Sequence, residues 1–133
     1  MALQTLYIVR GLPASGKSTR AALLPNVTVV SDVAVPGAIA RVSAILAAGG
    51  SVAVVNTFIQ RWEMGPYITA AIGAGACLEV IEPLHGFDGG KSNAELAARS
   101  IHGITEACIR AMRLRWEIDW KTGGRHIVCS PRA

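Results

Sequence analysis

At 133 residues and 13.9 kDa, the chain has the size of one domain, which argues against separate catalytic and recognition domains within residues 1–133. Hydrophobic residues make up 51% and charged ones 17%, the reverse of a disordered composition. No uncharged apolar stretch reaches the roughly 18 residues that cross a bilayer, and the first apolar run lacks a basic flank, so a soluble, cytoplasmic protein without a membrane partner is expected. The net charge of +4 comes from ten Arg and three Lys. It is compatible with phosphate-rich partners and is densest from Arg110 onward, where Arg110, Arg113, Arg115, Lys121, Arg125 and Arg132 face only Glu117 and Asp119. A solvated helix face and tail is the simpler reading of that segment. Cys77, Cys108 and Cys129 are odd in number and far apart, so reduced, mostly buried thiols are expected rather than a disulfide framework or a zinc site.

In chain order, short β-branched runs recur at Leu6-Tyr7-Ile8-Val9, Val27-Thr28-Val29-Val30, Val52-Ala53-Val54-Val55, Leu78-Glu79-Val80-Ile81 and His126-Ile127-Val128-Cys129. Helix-length segments separate them, and near-continuous apolar strands belong to a parallel sheet covered on both faces, so the class is α/β. The last run reads as a fifth strand or as an edge strand that pairs with another subunit. The first helix starts at Lys17 and ends before Pro25. A second starts near Pro36, with Ile39, Val42 and Leu46 on its buried face and Gly49-Gly50 closing it. The third is led by Pro66. Ser92 and Glu95 form a capping box for a short helix through Arg99, and Thr105 caps the next, with Ile104 and Ile109 as a hydrophobic staple. Ile109, Met112 and Trp116 then continue as a core stripe.

Between the first strand and first helix lies Gly11-Leu12-Pro13-Ala14-Ser15-Gly16-Lys17-Ser18, which satisfies G-x-x-x-x-G-K-[ST], the P-loop. Its glycines let backbone N–H groups turn inward around phosphate oxygens, where Cβ atoms would obstruct. Gly11, Pro13, Ala14, Ser15, Gly16, Lys17, Ser18 and Thr19 are therefore the expected nucleotide-binding residues, holding a nucleoside triphosphate with Mg²⁺. Lys17 would reach the β- and γ-phosphates and Ser18 the metal. The motif leaves the acceptor open. The short chain and the lack of a guanine-reading Asn/Thr-Lys-x-Asp motif favour a small kinase.

Leu6-Tyr7-Ile8-Val9-Arg10-Gly11 through Thr19 resembles the opening of the polynucleotide-kinase-like P-loop proteins. Asn56-Thr57 with Gln60-Arg61-Trp62-Glu63-Met64 and Pro66-Tyr67, Glu82-Pro83, Leu96-Ala97-Ala98-Arg99 with His102-Gly103-Ile104, and Met112, Arg115, Trp116 and Glu117 resemble the kinase-like domain of the Nedd-four-binding protein group. The resemblance spans about residues 6–117, leaving a basic C-terminal segment at 118–133. It implies a single-domain P-loop kinase fold with a five-stranded, mostly parallel sheet in the order 2-3-1-4-5, acting as an ATP-dependent 5′-hydroxyl polynucleotide kinase. By the same resemblance Asp32 is the general base and Arg99 the lid arginine; an N-cap role for Asp32 and a surface role for Arg99 remain open on the residues alone. His102 reads as a structural hydrogen-bond donor, Arg115 as an ion-pair or tail residue, and Trp62 as core or helix-start packing before base stacking.

The chain departs from the pattern at the acceptor side. The family has Asp-Asn-Thr-Asn-Thr where this chain has Val55-Asn56-Thr57-Phe58-Ile59, and Val33, Ala34 and Val35 stand where an acceptor-binding arginine is usual. Asn56 and Thr57 are the candidates to compensate. Ala14 replaces the usual glycine. The alternatives to the kinase are a catalytically weak or inactive nucleotide-binding module that supports oligomerisation or a partner, and a small-metabolite kinase.

Overall fold

The computed structural model describes residues 4–31, 37–101 and 103–117, and the backbone of 125–128. Strand β1 (Thr5–Arg10) leads through the P-loop into helix α1 (Lys17–Ala22), followed by β2 (Thr28–Ser31), α2 (Ala38–Ala47) and β3 (Val52–Asn56). A 3-10 turn (Arg61–Met64), α3 (Gly65–Ala74), β4 (Cys77–Ile81), α4 (Asn93–Arg99), α5 (Glu106–Arg115) and β5 (Arg125–Val128) complete the order. The result is an α/β fold built on a parallel sheet. β1 pairs in parallel with β3 on one side and β4 on the other, and β2 adds to β3 in the same direction. β5 pairs antiparallel with β4, giving the order β2-β3-β1-β4-β5.

The near-continuous apolar strands follow from burial on two faces. Leu6, Ile8, Val52, Val54, Leu78 and Val80 point to one side, where Val42 and Leu46 of α2 and Tyr67 and Ala71 of α3 cover them. Val9, Ala53, Val55 and Ile81 point to the other, against Ala21 of α1. Each fully buried side chain of this size stabilises the fold by roughly 1.5 to 3 kcal/mol. A third cluster, Leu12, Ile59, Leu96 and Ile109, seats the α4–α5 pair over the P-loop end of the sheet.

The helix punctuation follows local chemistry. Ser92 Oγ accepts from the Glu95 amide at 3.2 Å while Glu95 Oε1 accepts from the Ser92 amide at 3.1 Å, a reciprocal capping box. Thr105 Oγ1 accepts from the Cys108 amide at 3.2 Å, and Ile104 and Ile109 share the third cluster, as a staple requires. Pro66 sits in the first turn of α3.

Three expectations are corrected. The buried stripe of α2 is Ala38, Val42 and Leu46, spaced by four, and Ile39, about 100° around the helix from Ala38, falls at the margin of that stripe and is 37% exposed. Trp62 is not packed into the core: it is 73% exposed, since the turn that carries it buries only Met64. Cys77 is buried as expected but disulfide-bonded rather than reduced, and Cys108 is free but exposed rather than buried. Asp32, the Val33–Val35 segment, Pro36, His102, Cys129 and the side chains of the basic segment 118–133 lie outside the described residues. No helix among the described residues is long and apolar enough to cross a membrane.

Candidate functional site

The C-terminal ends of β1, β2 and β3 lie side by side, which is where parallel α/β sheets present their sites. Register places Ser31 beside Val55 and Val55 beside Val9. Above them is a cavity of about 460 Å³, floored by the P-loop with Ser31, Val55, Asn56 and Thr57 and roofed by Arg99 through Ile101, Ile104 and Met112. It therefore gathers Pro13, Ala14, Gly16, Lys17, Ser18 and Thr19 with Arg99, a residue distant from them in sequence. Ser31 is the last described residue before Asp32.

The P-loop is shaped from beneath. Gly16 has φ 103° and Ala14 φ 61°, so successive N–H groups converge in the manner of an anion-binding nest. Gly16 is also the N-cap of α1 and supplies no side-chain cap, and α1 has no acidic residue in its first turn. For Ala14 the left-handed conformation costs about 1 kcal/mol that glycine would not incur. Lys17 Nζ donates to the Leu12 carbonyl at 2.9 Å. Burial lowers its pKa to about 8, because a buried ammonium without an anion is poorly solvated.

The loop between β4 and α4 buttresses this nest. The Leu12 amide donates to the Phe87 carbonyl at 2.8 Å and the Gly11 amide to Thr57 at 3.2 Å. Gly89, at φ 65°, lies directly against Ser15, where a Cβ would overlap the Ser15 carbonyl oxygen. Any side chain at Gly89 must push the phosphate loop out of shape. Ser15 Oγ is itself buried without a hydrogen-bond partner among the described residues. The buttress is tied down by Arg113 of α5, which reaches Asp88 Oδ2 at 2.7 Å, Asn93 Oδ1 at 2.8 Å and the Lys91 carbonyl at 3.0 Å. Burial by itself would raise the Asp88 carboxyl; the hydrogen bonds from Arg113 and the Gly90 amide, with the guanidinium charge, hold it below the usual range.

Arg10 at the end of β1 is fully buried. Its Nε and Nη2 donate to the Phe58 carbonyl at 3.0 and 2.6 Å, Nη2 also to Ile59 at 3.2 Å, and its guanidinium lies 4.0 Å from the centroid of Trp116. Phe58 takes φ 44°, an uncommon conformation for a bulky residue, which turns its carbonyl to Arg10 while the ring packs edge-on to Tyr67. Burial raises the neighbouring Glu82 carboxyl above its ordinary pKa, against the opposing Arg10 charge and a hydrogen bond from the Phe87 amide.

Val55 stands where the resemblance drawn from the sequence would set a carboxylate. Its side chain is buried with Val9, Ala21 and Ile81, an apolar filling where a carboxylate would otherwise stand. Asn56 Oδ1 is turned back on its own loop, accepting from the Thr57 amide at 2.7 Å. No carboxylate lines the cavity among the described residues, and none of them forms a cluster of three metal-binding side chains. The nest, Lys17 and Arg99 suit a polyphosphate, and Ser18 and Thr19 bring exposed hydroxyls to the cavity at the start of α1, where a divalent cation could be held.

Arg10 and Gly89 had no assigned role in the sequence reading, Arg113 was read only as part of the basic segment, and Trp116 was expected in a core stripe, where it packs against the third cluster. The run Asp88-Gly89-Gly90 signals a tight turn, but only the fold shows what it turns against. Together the sheet, the glycine-containing loop between its central strand and first helix, and the helix pair that carries Arg99 define an α/β fold with a mostly parallel sheet flanked by helices. The chain is similar to a chain of the Pnkp1/Rnl/Hen1 RNA repair complex, with a TM-score of 0.63 at 16% identity over 99% of this chain and 50% of the other. This chain thus spans half the length of that one. It is also similar to a candidate kinase from Chloroflexus aurantiacus J-10-fl, with a TM-score of 0.64 at 18% identity over 93% of this chain and 83% of the other. No protein-family model matches the chain.

Proposed function

We propose that the protein is a phosphotransferase that moves the γ-phosphoryl group of ATP to the 5′-hydroxyl of a polynucleotide. The observation that carries this reading is the single cavity that joins Lys17 and the P-loop to Arg99 and to the ends of β2 and β3. In this reading the nest N–H groups and Lys17 hold the β- and γ-phosphates, and Arg99 stands over the transferring group from the roof. Asp32, which follows β2 in the sequence, takes the proton of the attacking hydroxyl; the new bond joins that oxygen to phosphorus as the bond to the β-phosphate oxygen breaks, and ADP leaves. A bound magnesium ion, held through Ser18 and the phosphates, would offset the charge of the polyphosphate. Similarity to a chain of an RNA repair complex supports a nucleic-acid acceptor.

A second reading rests on Val55 and the absence of a carboxylate among the described cavity residues: a nucleotide-binding module with little or no turnover. One assay separates them. The parent, Asp32→Asn and Lys17→Ala are compared for transfer of labelled γ-phosphate to a 5′-hydroxyl oligonucleotide, and for ATP affinity. The kinase transfers phosphate only as the parent, with ATP affinity kept in Asp32→Asn and lost in Lys17→Ala. Absence of transfer by the parent, with that same pattern of ATP binding, establishes the binding module.

A further inference from the structure

We infer that Trp62, with the guanidinium groups of Arg61 and Arg115, forms a stacking platform for a base of single-stranded nucleic acid, downstream of the 5′ end that enters the cavity. The inference deepens the acceptor assignment proposed above. A tryptophan 73% exposed leaves a large apolar face in water, and this one is held in place rather than loose. Its Nε1 donates to Gln60 Oε1 at 2.9 Å, and the same oxygen accepts from Arg115 Nη2 at 3.3 Å. Gln60 is itself fixed, its amide donating to Glu63 Oε1 at 2.9 Å in a capping box. The Arg61 amide donates to Glu117 Oε1 at 2.7 Å, and its exposed guanidinium stands 3.9 Å from that carboxylate.

The platform adjoins the cavity through two elements. Along the chain it follows Asn56 and Thr57, which line the cavity floor, and on α5 Arg115 lies one turn beyond Met112, which lines the roof. Trp116 is no rival for the role: it stacks on Phe87 with centroids 4.6 Å apart and lies under Arg10. A flat exposed indole flanked by two arginines matches the chemistry of a single strand, since every base has a π-face and each step carries a phosphate. One oxygen of each nearby carboxylate is engaged by backbone, Glu63 Oε1 by the Gln60 amide and Glu117 Oε1 by the Arg61 amide, which leaves the exposed Arg115 guanidinium free of a carboxylate partner among the described residues.

The test is fluorescence anisotropy of a 3′-labelled, 5′-hydroxyl octanucleotide with the parent, Trp62→Ala, Trp62→Phe and Arg115→Ala, alongside size-exclusion of each. Trp62→Ala weakens binding by about 5- to 100-fold, the range of one lost base stack, while Trp62→Phe restores most of it. Arg115→Ala weakens binding and lowers its salt dependence. A dinucleotide competitor, too short to reach the platform, does not distinguish parent from Trp62→Ala. Equal octanucleotide affinity of parent and Trp62→Ala overturns the platform, as does failure of the parent to bind the octanucleotide, or a parent dimer that Trp62→Ala dissociates. The two proposals fail separately: Trp62-dependent binding without phosphate transfer removes the kinase and leaves the platform, and transfer with the same KM in parent and Trp62→Ala does the reverse.

Discussion

Replacing Arg99 with alanine is expected to lower the rate of γ-phosphate transfer by about 10³-fold or more while changing ATP affinity only a few-fold. In the proposed reaction the nest and Lys17 hold the ground-state phosphates, while Arg99, the last residue of α4, lines the same cavity from another element. Charge on the equatorial oxygens is redistributed as the phosphoryl group is transferred, and a guanidinium fork stabilises that distribution better than the bound substrate. Val55 sharpens the expectation, because without a carboxylate at that position fewer charged groups share the work. Arg99→Lys should recover only part of the loss, since an ammonium supplies charge without the planar fork. The measurement is kcat for transfer to a 5′-hydroxyl oligonucleotide at saturating ATP; a loss under tenfold in Arg99→Ala would make Arg99 a solvated helix-end residue.

The second large effect is on stability. Arg10→Ala is expected to destabilise the fold by about 3 to 5 kcal/mol, the range seen when one member of a buried charged network is deleted. Three consequences add. The Phe58 and Ile59 carbonyls lose their guanidinium donors, Trp116 loses the cation against its ring, and Glu82 loses the charge that opposes its desolvation. For a domain of this size that corresponds to a fall in Tm of about 10 to 20 °C, read by calorimetry or circular dichroism. Arg10→Met, which keeps the volume without the donors, should fall between parent and alanine. A shift of Arg10→Ala under about 3 °C would show that the P-loop end of the sheet is held by other contacts.

What was legible in the sequence was whatever depends on neighbours along the chain. The P-loop is eight consecutive residues whose chemistry requires that order, and the Ser92, Glu95 and Thr105 caps satisfy amides within three positions of themselves. The strands were legible because burial on both faces writes an unbroken apolar run. What was not legible depends on distant partners. Arg10 looks like a surface arginine ending a strand until Phe58, Ile59 and Trp116 close over it. Gly89 is one glycine of a pair until the fold brings Ser15 against it. Trp62 was assigned to packing because aromatic residues usually are buried, and no local pattern reveals that the 3-10 turn spends its single buried position on Met64. Ile39 failed differently: Ala38 and Ile39 both lie within helical spacing of Val42, and Ala38, in step with Val42 and Leu46 at intervals of four, takes the core-facing place.

The two halves of the cavity floor rest on strands of unequal security. β1, which launches the P-loop, is paired on both sides and wholly or nearly buried, whereas β2 pairs only with β3 and buries Val30 alone of its four residues. Amides of β2 should therefore exchange with deuterium well before those of β1, through local opening that leaves the rest of the sheet intact. Asp32 comes immediately after β2 in the chain, and Lys17 follows β1. With the roles proposed for Asp32 and Lys17, warming the protein below its global transition should then erode phosphate transfer before nucleotide binding, a loss that would otherwise pass for slow denaturation.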